Sequence, residues 1–184
     1  MILDSEMSPI TEAPNGILRW TPRPGRTYVF LADSEVAIEN QEAGRLFFSG
    51  KSGSLAKGET AHGEWTLKRE GFLHPRISVR KTGEDNNCAA LNLSAGGNGK
   101  LNFAWGEEFT FSTDGWMQSH WSFKRGAAEV VRFSRDGSSA DVEIVNPGLA
   151  AETLSVLVLL GWYAPLLAAE EAAVMAATVV LAIT

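Results

Sequence analysis

The stretch GRLFFSGKS (44–52) ends in Gly-Lys-Ser, residue types with which a loop cradles phosphate. That chemistry needs four residues between its glycines and a helix directly afterwards, so that backbone N–H groups converge on the anion. Here five residues separate Gly44 from Gly50, and GSLAKGETAHG follows, which reads as a flexible loop. A strand running into a polar loop is the better reading. GGNGK (96–100) fails in the same way, because Leu101 follows the lysine, and it reads as a hairpin turn. GEDNN (83–87) has calcium-ligand residue types without the spaced loop. His62, His74 and His120, with the single Cys88, fall short of the four spaced ligands of a zinc site. His62 and Glu64 form a His-x-Glu pair, but the Pro-Cys-x-x-Cys half of a deaminase site is absent. Cys88 opens an apolar strand, the place of a small buried residue rather than a nucleophile. No Gly-x-Ser-x-Gly elbow occurs, and nothing in the sequence pairs two carboxylates across a cleft. The expectation is a protein that is not an enzyme and carries neither cofactor nor metal. An enzyme with its site in a barrel mouth has no residue constellation behind it.

One surface feature stands out. Lys68, Arg69, Arg76, Arg80 and Lys81 fall on neighbouring strands if EWTLKR (64–69) and RISVRK (76–81) pair as a hairpin. Arg76 and Arg80 then share the face opposite Ile77 and Val79. A stripe of Lys68, Arg76 and Arg80 suits anionic lipid head groups, each basic residue contributing about 1 kcal/mol near a charged membrane. The plainer reading is a solvated outer face with cross-strand partners such as Glu64 and Glu70, and the chain's net charge of −6 favours it.

The elements that must position these residues are short. From Gly16 to Pro147 apolar runs alternate with turn residues: ILRW (17–20), TYVFLA (27–32), EVAIE (35–39), RLFFS (45–49), and the same theme on to DVEIV (141–145). Alternation places successive side chains on opposite faces, so these are strands with one wet face. Connectors such as KTGEDNN, SAGGNG and SRDG supply hairpin chemistry. About a dozen strands at spacings of roughly 8–12 residues make an antiparallel barrel or sandwich. Of six tryptophans, Trp65, Trp105, Trp116, Trp121 and Trp162 fall in or near expected core elements, while Trp20, before TPRPG, suits a rim.

After NPG (146–148) the composition changes. Residues 149–169 are helix formers, apolar on nearly every side, with Glu152 in the first turn where it suits the helix dipole. Such a helix belongs inside a protein core or a bilayer. The longest uncharged run, 153–169, is at the lower limit for a span, and Glu170 and Glu171 then follow. The tail holds no basic residue to fix its orientation. A barrel of about twelve strands is wider than its own side chains can fill. The helix fits that space, with Leu154, Val156, Leu157, Leu159, Leu160 and Trp162 meeting the inward strand residues. The fold expectation is therefore an all-β closed antiparallel barrel enclosing a C-terminal apolar α-helix. Residues 1–15 read as a flexible arm, 16–184 as one domain, 149–169 as the core helix and 170–184 as a short apolar tail.

A many-stranded antiparallel barrel whose closing helix is ETLSVLVLLGWYAPLLA resembles the Tubby-like group. That group includes the Tubby C-terminal domain, the plant LURP-one-related proteins and the phospholipid scramblases. The resemblance covers roughly residues 16–169 and lies in architecture; no ligand-binding residue carries over. It implies a binding module whose partner is anionic membrane phospholipid or a protein. The alternative is a tail-anchored membrane protein displaying a cytoplasmic β-domain.

Bulk properties set the limits. The chain has 184 residues, 16 basic and 22 acidic, with 45% hydrophobic residues, as one globular domain would. The acidic balance argues against a dedicated nucleic-acid binder. One cysteine excludes an internal disulfide and fits a reducing compartment. The start MILDSEMSPITEAPNG lacks the pattern of a secretory signal. A cytoplasmic monomer, at most peripheral to a membrane, is expected.

Overall fold

The computed structural model describes residues 7–13, 16–32, 41–50, 53–71, 75–114 and 119–183, with side chains up to residue 173 in the final helix. Alternating residues form twelve strands: β1 Ile17–Arg23, β2 Thr27–Ala32, β3 Gln41–Phe48, β4 Ala56–Thr60, β5 Gly63–Glu70, β6 Arg76–Lys81, β7 Ala89–Leu93, β8 Gly99–Phe103, β9 Glu108–Thr113, β10 His120–Arg125, β11 Ala128–Asp136 and β12 Ser139–Ile144. Each pairs antiparallel with its sequence neighbours, and β12 closes on β1 from Ile17↔Glu143 to Trp20↔Ala140. Closure leaves no unpaired strand edge. Two bulges break the alternation. In β3 and β11 an extra residue opposes the partner strand, so Ala43–Gly44 and Val130–Val131 are buried as consecutive pairs.

The interior is a helix. α1 spans Ala151–Ile183, and every residue from 153 to 165 is buried. A helix turns once in about 3.6 residues, so burial at every position means that all its faces are covered. Strands on several sides of the barrel supply the cover. Trp162 stacks on Trp20 of β1 and on Trp121 of β10, with centroids at 5.9 and 6.1 Å. Trp121 also donates its indole N–H to the Gly161 carbonyl at 2.5 Å. Gly161 lies against the Phe133 ring so closely that a side chain there would collide with it. The buried hydroxyls are paired: Ser155 with Thr60 at 3.1 Å, and Thr153 with the Glu107 carboxylate at 2.7 Å.

Several expectations need correction. GSLAKGETAHG is not a loop throughout, because 56–60 is β4. Its inward residues are Ala56, Gly58 and Thr60, small because α1 passes close: a Cβ on Gly58 would sit 2.6 Å from Leu159 Cδ1. Small residues do not look like a core strand, so the period was hidden. The helix begins at Ala151, and Glu170–Glu171 do not end it; it continues as one element to Ile183, where a separate tail was expected. Residues 7–13 are not a loose arm: a 3-10 turn at Ile10–Glu12 buries Ile10 completely, and Ser8 N–H bonds the Glu42 carbonyl. Trp20 is a core residue rather than a rim one, and Trp105 is 49% exposed rather than core. The strand expected at 35–39 and Trp116 lie outside the described residues.

Candidate functional site

β5 and β6 pair as the alternation predicts, from Trp65↔Lys81 to Glu70↔Arg76. Residues directly opposite share a face. Thr66, Lys68 and Glu70 therefore stand on the outer face with Arg80, Ser78 and Arg76, while Leu67, Ile77 and Val79 point inward and are fully buried. Lys68 is opposite Ser78, which makes both Arg76 and Arg80 its diagonal neighbours, at about 7–8 Å. One carboxylate interrupts the stripe: Glu70 pairs with Lys68 at 3.2 Å. Thr66, Lys68, Glu70, Ser78 and Arg80 line a shallow depression of about 290 Å³, with Leu55 and Asn87 at its edge. Leu55 is 43% exposed, an apolar group beside two cations. Arg76 stands outside the depression, beyond Glu70 and opposite Asn92 on β7.

The other two basic residues of the hairpin face inward, because they occupy the opposite phase of the alternation. They hold the two ends of the part of α1 that the barrel encloses. Lys81 pairs with Glu152 in the first turn of α1, and this hydrogen bond raises the lysine pKa. Arg69, at the other end of the barrel, pairs with Glu171. Beside it Arg26 makes three hydrogen bonds to Glu170, at 2.7, 2.8 and 3.2 Å, and lies 4.3 Å over the Phe48 ring. Arg26 has φ +54°, a conformation that non-glycine residues rarely adopt. Both acidic residues of the tail are thus matched by arginines where the helix leaves the barrel. The Tyr163 hydroxyl, pushed up by burial, donates to the Ser54 carbonyl at the same mouth.

A second polar cluster secures the start of α1. Glu107 accepts hydrogen bonds from Thr153 Oγ1 at 2.7 Å and Trp105 Nε1 at 2.9 Å, and pairs with Arg125. Burial opposes its ionisation, but these donors and the arginine charge outweigh that and hold its carboxyl below the usual range.

The other motifs have structural roles. Gly44–Phe48 is part of β3, with Gly44 packed against the Phe30 ring, while Lys51 and Ser52 lie outside the described residues. Residues 83–87 and 94–98 are hairpin connections. Cys88 is buried, donates to the Val79 carbonyl at 3.4 Å, and has its thiol pKa raised by burial, which makes it a poor nucleophile. His120 is exposed, His62 sits in the β4–β5 turn, and His74 lies outside the described residues. Among the described residues no three His, Cys, Asp or Glu side chains are placed to hold a metal. Thr66 and Ser78 were legible as partners of the basic stripe once the hairpin was drawn. Leu55 and Asn87 were not, because they come from turns whose direction no period fixes.

The fold is that of a closed antiparallel barrel with a helix for its core, and the depression between Lys68 and Arg80 lies on its outer face. No protein-family model matches the chain, and no curated protein or solved structure matches it either.

Proposed function

We propose that this chain is a non-enzymatic binding module of Tubby-like or scramblase-like architecture that associates with anionic membrane phospholipid through the outer face of β5 and β6. The observation that carries the reading is the depression on that face. Lys68 and Arg80 flank it, the Thr66 and Ser78 hydroxyls line it, and Leu55 offers an apolar contact at its edge. Cations and hydroxyls on a rigid sheet suit the oxygens of a phosphate-bearing head group. The barrel interior, where an enzyme of this shape would hold its substrate, is filled by α1. Architecture alone transfers no activity, so scrambling is not part of the proposal.

The tail-anchored alternative has a specific observation against it. Ala151–Ala173 is long and apolar enough to cross a membrane, yet 78% of its apolar window is buried. Anchoring through it would remove the core of the barrel.

Co-sedimentation with vesicles of phosphatidylcholine, with and without phosphatidylserine, tests the proposal. At about 1 kcal/mol for each basic residue, Lys68→Glu/Arg76→Glu/Arg80→Glu should weaken binding to the anionic vesicles by about 100-fold or more. Unchanged binding would sink the assignment.

A further inference from the structure

Beyond the mouth where Glu170 and Glu171 meet their arginines, α1 continues to Ile183, and Ala172 and Ala173 are exposed. From Ala172 to Ile183 the sequence AAVMAATVVLAI has no charged residue and only one polar one, Thr178. These twelve positions extend about 18 Å as a helix. A groove on a partner protein covers one face of a helix and leaves a polar face for water. This segment is apolar all round, as a helix in lipid is.

The charge at the two ends of the barrel differs. Around the start of α1 the turns carry Glu84, Asp85 and Glu108, besides Glu107, which pairs with Arg125. At the mouth, Glu170 and Glu171 are each taken up by an arginine, Asp136 pairs with Arg19 and Glu70 with Lys68, and Asp114 lies 4.0 Å from His120. Arg135, next to Asp136, is left with no carboxylate among the described residues. Its guanidinium lies 5.6 Å from the Trp121 ring and 5.8 Å from the Trp162 ring, and its buried Nε has no hydrogen-bond partner. Burial lowers its pKa, and no nearby anion offsets the cost. Arg23, in the β1–β2 hairpin at the same mouth, also makes no ion pair among the described residues.

We infer that the barrel docks end-on to an anionic bilayer, with residues 172–183 of α1 entering the near leaflet and Arg23, Arg76 and Arg135 facing the head groups. Eighteen ångströms is short of the roughly 30 Å hydrocarbon core, so the segment enters one leaflet and does not span. The inference rests on the phospholipid reading and changes which residues meet the membrane. Arg76 is at the mouth end of β6, while Arg80 is four residues, about 13 Å, further along the strand and so set back from the bilayer in this pose.

The test uses the full chain, the same two vesicle compositions, and a nitroxide at Ala177→Cys in a Cys88→Ala background. In the end-on pose the label becomes accessible to oxygen within the bilayer. Leu181→Glu then weakens binding about tenfold or more, by placing a charge in hydrocarbon, while Lys68→Glu/Arg80→Glu changes it little. Near-ultraviolet circular dichroism of each variant checks that the barrel is intact. A bound chain whose label stays in water overturns the end-on pose and leaves the β5–β6 reading standing. Loss of binding in Lys68→Glu/Arg80→Glu alone does the same. If both variants lose binding, the depth of the label decides between the poses. Absence of wild-type binding to either vesicle overturns both readings.

Discussion

One close contact between a strand and the enclosed helix lies on the strand that the alternation of apolar residues concealed. A Cβ added to Gly58 would fall 2.6 Å from Leu159 Cδ1 and 2.7 Å from Cδ2, and Leu159 is fully buried with no free side to move toward. Gly58→Ala should gain about 0.4–1 kcal/mol from a stiffer unfolded chain. Overpacking against Leu159 should cost about 1–3 kcal/mol. The balance is a destabilisation of about 1–2 kcal/mol, or several degrees in Tm for a chain of this length. Leu159→Ala alone should cost about 2–5 kcal/mol through lost burial and a cavity. In the double variant the new methyl group occupies space that the leucine has left. The two costs should then fall short of additivity by about 1–2 kcal/mol. Urea denaturation of the four proteins measures this coupling. Strictly additive costs would refute the contact and, with it, the passage of α1 beside β4.

Other expectations follow from the same contacts. Glu107 has its folded pKa below the ordinary carboxylate value of 4.5; its contribution to stability is whole above that value and lost as pH falls through the lower one. Glu107→Gln should therefore flatten the acid limb of a Tm-against-pH profile, and an unchanged limb would remove Glu107 as its cause. Deleting residues 149–184 takes away the core against which Trp20, Trp121 and Phe133 pack, so the remaining chain should aggregate; a soluble, folded β-domain on gel filtration would favour the anchor. Gly161→Val should be more damaging than Gly58→Ala, because the Phe133 ring fills the space and the Trp121 indole bonds the Gly161 carbonyl. Thermal melts would show this as the larger fall in Tm.

Much of this fold was legible because large apolar residues alternate on strands that each have one wet face. RISVRK and HWSFKR form strands with the bounds that their alternation predicts. β4 was hidden because the helix leaves room only for Ala56, Gly58 and Thr60, and small residues give no hydrophobic period. Trp20 looked like a rim residue from its neighbour TPRPG, but β1 continues through Pro22 to Arg23 and carries Trp20 into the core. The basic cluster was only half legible. Its residue types were plain, but alternation divides it, sending Lys68, Arg76 and Arg80 outward and turning Arg69 and Lys81 toward the carboxylates of α1. Those inner pairs join residues about 70 to 100 positions apart, a separation at which no local pattern predicts a partner.

The central claim is that the first half of the apolar helix, from residue 153 to residue 165, is the core of the barrel rather than a membrane span. Native-state hydrogen exchange on the intact chain, without lipid or detergent, tests it most directly. Amides from 155 to 164 should be among the slowest in the protein, exchanging only with global unfolding, at the rate of the slowest strand amides. Rapid exchange in that segment while the strands stay protected would show the helix outside the barrel and contradict the account.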